Sequence, residues 1–264
     1  KVMNRINQRF QEFKMKKKVA FMPFVVAGDP DFKISLEIVR ELLKFADFLE
    51  LGLPYSDPLA DGPTIQAASQ RALVSGMNTD RTFDFVREIR KFSDIPTTLL
   101  VYANLVYQRG IDKFYRDAER AGIDGVLIPD VPIEEAEPYI TSAKSVGICP
   151  IFLVAQTTHD QRLEKILQYA QGYLYVVAVL GVTGERDDLD QKIVPLIQKV
   201  KQKTKLPIVV GFGLSKRNHI QAVKKSGVDG YIIGSALIKI IEKNLGHGKR
   251  TLEELSRYIQ SLDP

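Results

Sequence analysis

The chain has 264 residues, of which 45% are hydrophobic, the size and content of one globular α/β domain. Its net charge of +5 comes from residues 1–18, which carry seven basic side chains and one acidic, so the remainder gives no sign of a nucleic-acid-binding surface. No apolar segment approaches the ~20 residues that cross a membrane, and the N terminus lacks a secretory pattern. The single cysteine, Cys149, excludes an internal disulfide. These features predict a cytoplasmic protein, or a plastid protein if the source is a plant or alga.

Apolar segments rich in Val, Ile and Leu recur eight times along the chain, with amphipathic stretches between them. Short continuous runs of this kind are typical of strands buried on both faces of a parallel sheet. Eight strand–helix alternations in about 250 residues predict a single (β/α)8 barrel domain over 1–264, with an open doubly wound sheet as the alternative. The predicted strands are 19–26, 46–51, 96–102, 125–130, 149–155, 173–179, 206–212 and 229–234.

The helical pattern adds three features to a minimal barrel. Residues 1–18 predict an extra N-terminal helix, and Gly234-Ser235 predict the start of a short helix after the eighth strand. Asp29 and Thr79-Asp80 are predicted to cap helices. An extra helix is predicted after the second strand, so that two follow it, and the predicted helices include 31–45, 64–76, 80–92 and 189–202.

Glycine-rich turns follow the last three predicted strands: GVTG at 181–184, GFG at 211–213 and Gly234-Ser235. Glycine lets the backbone approach an anion closely, and the free amides at a helix start point toward it. Barrels often bind phosphate with the loops after strands 7 and 8 and a short extra helix. The sequence therefore predicts a phosphate site, with ordinary turns as the alternative. It contains no nucleotide-binding motif.

Histidine and lysine offer little for catalysis in this sequence. His159, His219 and His247 lie beyond the strand ends without a plausible metal-binding partner, so no metal site is predicted. No lysine lies within the predicted strands, which disfavours a Schiff-base aldolase. Carboxylates remain as the candidate acid/base groups.

Four carboxylates lie at predicted strand ends or in the loop after the second strand. Glu50 ends the second strand between two leucines, where burial would raise its pKa toward the range useful for proton transfer. An ion pair with a neighbouring strand is the alternative. Asp130 follows the fourth strand and belongs either to the loop structure or to the site rim. Asp57 and Asp61 lie in a proline-rich loop where aspartate ordinarily caps turns, so the residues alone leave a catalytic role for Asp61 open.

The segment ELGLPYSDPLADGPTIQ (50–66) closely resembles the signature of the tryptophan synthase α chain family. The resemblance implies a (β/α)8 barrel that cleaves indole-3-glycerol phosphate, by a retro-aldol reaction, into indole and glyceraldehyde 3-phosphate. It implies that Glu50 is the general acid/base and that Asp61 faces the indole N–H. Further matching blocks are PFVVAGDP (23–30), VYANLVYQRGIDKFY (101–115), PDVPIEE (129–135), PIFLVA (150–155), GVTG (181–184), VGFGLS (210–215) and GSALIKIIE (234–242).

The same resemblance assigns the rest of the substrate site. In the family, the loop that contains Thr183 closes over the substrate and excludes water. The resemblance implies phosphate binding by Gly184, Gly213, Gly234 and Ser235. It implies that the indole and glycerol pocket is lined by Phe24, Ile65, Leu100, Tyr102, Tyr175, Thr183 and Phe212.

Members of this family pair with a β chain, which uses pyridoxal phosphate and receives indole through a tunnel. The resemblance implies an α2β2 tetramer and no cofactor in the present chain, while the charge distribution and the short apolar segments predict neither nucleic acid nor membrane as a partner. The implied contact residues for the β chain are Pro54, Tyr55, Asp57, Asn104 and Pro132.

Three positions depart from the family pattern: Gln156, Ala178 and Val179. Residues 185–190 are also more acidic than usual. These departures concern the lid and its signalling to the β chain rather than the carboxylate pair. Two other functions remain open: a stand-alone lyase that releases free indole, and a non-catalytic phosphate-binding barrel that activates a partner.

Overall fold

The strands of this protein close into a barrel. The structure, a computed structural model, describes residues 3–177, 193–211 and 213–262. Within them β1 pairs with β2 and β8, all pairs are parallel, and strand order follows chain order. The predicted barrel is confirmed, and the open sheet is wrong. The strands are β1 Ala20–Val26, β2 Leu49–Gly52, β3 Thr97–Leu100, β4 Gly125–Leu127, β5 Cys149–Val154, β6 Leu174–Val177, β7 Ile208–Gly211 and β8 Gly230–Ile233.

The predicted positions of all eight strands are confirmed, although each strand is shorter than its apolar segment. The segment at 96–102, for example, ends as β3 at Leu100, because Tyr102 already precedes the next helix. All seven residues of β1 are buried, as expected for a strand between the barrel interior and an outer layer of helices.

Helices cover the outside of the barrel. The N-terminal helix, the second helix after β2 and the short helix after β8 are confirmed. A seven-residue helix after β3 and the last helix were not predicted. The described helices are α1 Arg5–Met15, α2 Phe32–Leu42, α3 Pro63–Val74, α4 Thr79–Arg90, α5 Ala103–Arg109, α6 Ile111–Ala121, α7 Glu137–Val146, α8 Asp160–Tyr169, α9 Ile193–Lys203, α10 Arg217–Lys225, α11 Ser235–Lys243 and α12 Gly248–Leu262, with a 3-10 turn at Ile133–Glu135.

Both predicted helix caps are wrong. The cap of α2 is Asp31, whose carboxylate accepts a hydrogen bond from the Ile34 amide at 2.9 Å. Asp29 lies too far before the helix and is buried in an ion pair instead. The cap of α4 is Asn78, whose side chain accepts from the backbone amide of the third helical residue at 2.9 Å. Thr79 is already the first helical residue, so it cannot cap α4.

The basic N-terminal helix packs over the N-terminal ends of the strands. Its Ile6 is fully buried and approaches Gly125 at the start of β4 so closely that a Cβ there would lie 2.9 Å from the Ile6 methyl. Arg5 of α1 and Arg90 of α4 both pair with the buried Asp124, at 2.8 Å and 3.0 Å. The helix therefore closes the end of the barrel opposite the strands' C-terminal ends. Within the described residues, no helix has the length and apolarity that a membrane span requires.

Candidate active site

A cavity of about 310 Å³ opens at the C-terminal ends of the strands. Glu50 and Asp61 lie on its wall, and the glycine turns after β7 and β8 lie on the same cavity. Of the implied lining and phosphate residues, the cavity contains Phe24, Ile65, Leu100, Tyr175, Gly213, Gly234 and Ser235. No site role was predicted for the other residues that line it, which are Leu214, Ser215, Ile232, Ala236 and Lys239.

Glu50 is a buried carboxyl group that forms no ion pair with any described residue. It is 1% exposed, and its Oε1 atom has no hydrogen-bond partner among the described residues. The alternative of an ion pair with a neighbouring strand is not found in this part of the chain. Burial, and to a lesser degree the negative charge of Asp61, raise the pKa of Glu50 to about 8. At neutral pH Glu50 is therefore mostly protonated and able to donate a proton.

Asp61 arrives at the cavity from the loop between β2 and α3. Its backbone carbonyl accepts from the Gln66 side chain at 2.8 Å, and its backbone amide donates to Pro58 at 3.0 Å. Its carboxylate is hydrogen-bonded to the Tyr102 hydroxyl. Burial raises the pKa of Asp61 to about 6, against the lowering effect of Tyr102. Asp61 is consequently ionised at neutral pH, while Glu50 keeps its proton.

Tyr102 lies beside the cavity and is not among the residues that line it. Its hydroxyl accepts a hydrogen bond from the Ala60 amide at 3.1 Å and bonds to Asp61. Burial and the charge of Asp61 raise the pKa of Tyr102, so the hydroxyl stays protonated as a donor. Tyr102 thus holds the loop that carries Asp61.

The raised pKa of Glu50 has a consequence for stability. Glu50→Gln should raise the free energy of unfolding by about 3 kcal/mol at pH 7. The unfolded chain releases this proton near pH 4.5, whereas the folded chain holds it to about pH 8. The wild type therefore loses stability as the pH rises between these values. Thermal unfolding at pH 5 and pH 8 checks this: the advantage of the variant should grow with pH, and an advantage that is absent at both would contradict it.

The glycine turns after β7 and β8 make part of the cavity suited to an anion. Gly213 adopts a left-handed conformation with φ of 71°, which side chains rarely tolerate. Gly234 packs against Phe24, where a Cβ would lie 3.0 Å from the ring. Helix α11 begins directly after it, at Ser235, and the side chains of the described residues do not cap its first amides. Lys239 lies one turn further on the same helix and adds a positive charge, a residue that the spacing of four from Ser235 could have indicated.

Some of the predicted residues fall outside the described part of the chain, and one lies away from the cavity. Thr183, Gly184 and Phe212 fall outside the described residues, as do the departures Ala178 and Val179. Asp130 does not line the cavity: its carboxylate accepts from the Ala103 amide at 2.9 Å and so satisfies the start of α5. This favours the loop interpretation of Asp130. No cluster of three or more potential metal ligands occurs in the described ranges.

Three of the implied partner residues, Pro54, Tyr55 and Asp57, lie on the loop that carries Asp61, and Asn104 contacts this loop. The rings of Tyr55 and Tyr102 stack with centroids 5.2 Å apart, and Asn104 donates to the Tyr55 hydroxyl at 3.3 Å. Asp57, Asn104 and Pro132 are exposed, whereas Pro54 is buried. Two apolar side chains that the sequence did not single out are also exposed: Leu59 of this loop, at 92%, and Tyr107 of α5, at 72%.

Comparison with known proteins identifies the family. The family model described as "Tryptophan synthase alpha chain" matches residues 10–263. The tryptophan synthase alpha chain of Methanoregula boonei is 46% identical over 259 residues, which is 98% of this chain and 97% of that one. The corresponding chain of Vibrio cholerae is 41% identical over 262 residues, 98% of each chain.

Solved structures give the same result. The crystal structure of tryptophan synthase subunit alpha from Legionella pneumophila is similar with a TM-score of 0.88 and 34% identity over 99% of both chains. A structure concerned with mutual activation in the tryptophan synthase α2β2 complex of Pyrococcus furiosus matches with a TM-score of 0.87 and 36% identity, covering 92% of this chain and 97% of that one. The chain described here belongs to the tryptophan synthase alpha chain family.

Proposed function

We propose that this chain cleaves indole-3-glycerol phosphate into indole and glyceraldehyde 3-phosphate and passes the indole to a β subunit for tryptophan synthesis. One observation carries the mechanism. Glu50, a buried carboxyl group that has no counter-ion in the described part of the chain, shares a cavity with the ionised Asp61. Their pKa values of about 8 and about 6 give an acid and an anion at neutral pH.

The first step is protonation of the indole ring. Protonated Glu50 donates its proton to C3 of the indole, the carbon that bears the glycerol phosphate chain. Positive charge then develops at the ring nitrogen, and the carboxylate of Asp61, facing the N–H group, stabilises it. The low polarity that raises the pKa of Glu50 also strengthens this attraction.

The second step breaks the carbon–carbon bond. The bonding electrons return to the ring and neutralise the positive charge on its nitrogen, which restores aromatic indole. Glu50, now a carboxylate, takes the proton from the hydroxyl group on the departing carbon, which becomes the aldehyde of glyceraldehyde 3-phosphate. Glu50 regains its proton and no net acid is consumed, so one residue serves as acid and then as base.

The phosphate group orients the substrate. Backbone amides at Gly213, Gly234 and Ser235 bind it, aided by the start of α11 and, as we propose from the family resemblance, by Gly184. Phe24, Ile65, Leu100 and Tyr175 supply apolar surface for the ring and glycerol chain, with Thr183 and Phe212 proposed beside them. When the substrate binds in this way, its scissile bond lies between the bound phosphate group and the two carboxyl groups.

The partner is a tryptophan synthase β chain in an α2β2 tetramer. We propose that it contacts Pro54, Tyr55, Asp57, Asn104 and Pro132, with Leu59 and Tyr107 supplying exposed apolar surface. The present chain needs no cofactor for the steps above, and pyridoxal phosphate belongs to the β chain. We place the protein in the cytoplasm. Because the same loop carries Asp61, binding of the β chain would order a catalytic carboxylate.

Indole release from indole-3-glycerol phosphate tests this function. We expect slow release by the purified chain and much faster release when a β chain is added, because the partner orders the loop with Asp61. Equally fast release without the β chain would indicate the stand-alone lyase. No release under either condition, together with stimulation of the β chain, would indicate the non-catalytic activator.

A further inference from the structure

Arg71 of α3 forms a two-pronged ion pair with a buried carboxylate. Its Nε and Nη2 atoms donate to Asp29 Oδ1 and Oδ2 at 2.7 Å and 2.9 Å. Asp29 is 2% exposed and lies in the turn between β1 and α2. The third nitrogen, Nη1, lies 3.4 Å from Glu242 of α11, a carboxylate that is 47% exposed. A planar guanidinium held at two points fixes both distance and orientation, which a single contact does not.

The ion pair anchors the helix that follows Asp61. Helix α3 begins two residues after Asp61, and its Gln66 donates to the Asp61 carbonyl at 2.8 Å. Ile65 of the same helix lines the cavity. The loop before the helix is largely exposed, with Leu59 at 92%. The position of Asp61 therefore depends on where α3 sits, in addition to its contact with Tyr102.

We propose that Arg71 is a positioning residue for the cleavage reaction. Its ion pair with Asp29 fixes the position of α3, and α3 in turn fixes the position of Asp61 relative to Glu50. The turn that contains Asp29 continues from β1, and β1 pairs with β2 at Phe24 and Glu50. The ion pair thus fixes the carboxyl groups of Glu50 and Asp61 relative to the same pair of strands. This inference rests on the proposed function, because it concerns the placement of the anion that stabilises the indole nitrogen.

The expected kinetic effect is selective. Arg71→Gln should lower kcat on the order of 10- to 100-fold, since small misplacements of a catalytic group have effects of this size. KM should change little, because the amides that bind phosphate lie on other elements. Arg71→Lys, which keeps the charge but loses the two-pronged geometry, should fall between wild type and Arg71→Gln. Glu242→Gln should stay close to wild type, because an exposed ion pair contributes little.

The experiment measures kcat and KM for indole release with the β chain present, binding of glycerol 3-phosphate, and the thermal midpoint of each variant. Arg87→Gln, at an exposed ion pair on α4, is the matched control. A merely structural role would lower the thermal midpoint and leave kcat of the folded protein unchanged, and that result would overturn the proposal. A rise in KM with kcat unchanged would overturn it too. If Arg71→Gln does not fold, Arg71→Lys carries the same comparison.

The outcomes separate this proposal from the function on which it rests. An inactive wild-type chain would overturn the proposed function. An active wild type with an equally active Arg71→Gln variant would overturn only the positioning role.

Discussion

Glu50→Gln is expected to lower kcat for indole release by on the order of 1,000-fold, the range lost when a general acid/base is removed. Glutamine has nearly the same shape as protonated glutamic acid but cannot give up a proton to C3 of the indole. The Oε1 atom of Glu50 makes no hydrogen bond among the described residues, so the substitution breaks no contact of that atom. The loss should therefore appear in the rate and not in folding.

Steady-state indole release with the β chain present measures this effect. Glu253→Gln, on the outer helix α12, is the matched control, because it makes the same chemical change on the surface. Binding of glycerol 3-phosphate should be unaffected in both variants, since we propose that the phosphate group binds to the backbone amides of Gly213, Gly234 and Ser235. A Glu50→Gln variant with the wild-type rate would refute acid/base catalysis by Glu50.

Asp61→Asn is expected to lower kcat by on the order of 100-fold. Removal of one group that stabilises the charge of a transition state typically causes a rate loss of this size. Asparagine can still accept a hydrogen bond from the indole N–H and from Tyr102, but it carries no charge. The lost rate therefore measures the attraction between the carboxylate and the cationic ring. The pKa of Glu50 should also fall, because the charge of Asp61 is one of the two factors that raise it.

The Asp61→Asn effect is measured in the same assay, with Asp84→Asn on the exposed face of α4 as the control. The effect should reside in kcat rather than KM, because the attraction is strongest when the ring becomes cationic. A variant whose KM rises while kcat stays at the wild-type value would show that Asp61 binds substrate without stabilising the transition state.

The barrel could be predicted from the sequence because buried parallel strands leave continuous apolar segments. The cap of α2 could not be predicted from the sequence, because two aspartates flank Pro30 and the local pattern does not say which of them caps the helix. The choice depends on Arg71, forty-two positions away, which draws Asp29 into an ion pair and leaves Asp31 to cap α2. Partners distant in sequence leave no local signal.

The sequence pattern alone indicated a role for Glu50 but not for Asp61. Glu50 was indicated by a charge between leucines at a strand end, which only burial or function explains. Asp61 lies in a loop rich in turn formers, and its approach to the cavity depends on Tyr102 and Gln66. Only the family resemblance pointed to it. The role of Tyr102 in holding the loop likewise arises from tertiary contacts.

The pH dependence of kcat/KM tests most directly whether neutral Glu50 starts the reaction. The pKa of Glu50 is about 8, so kcat/KM for indole release should decline as the pH rises above about 8, because the carboxyl group loses the proton that it must donate. Asp61→Asn should move this decline to lower pH. A value of kcat/KM that keeps rising through pH 9 would contradict the account, because the ionised form of Glu50 would then be the active one.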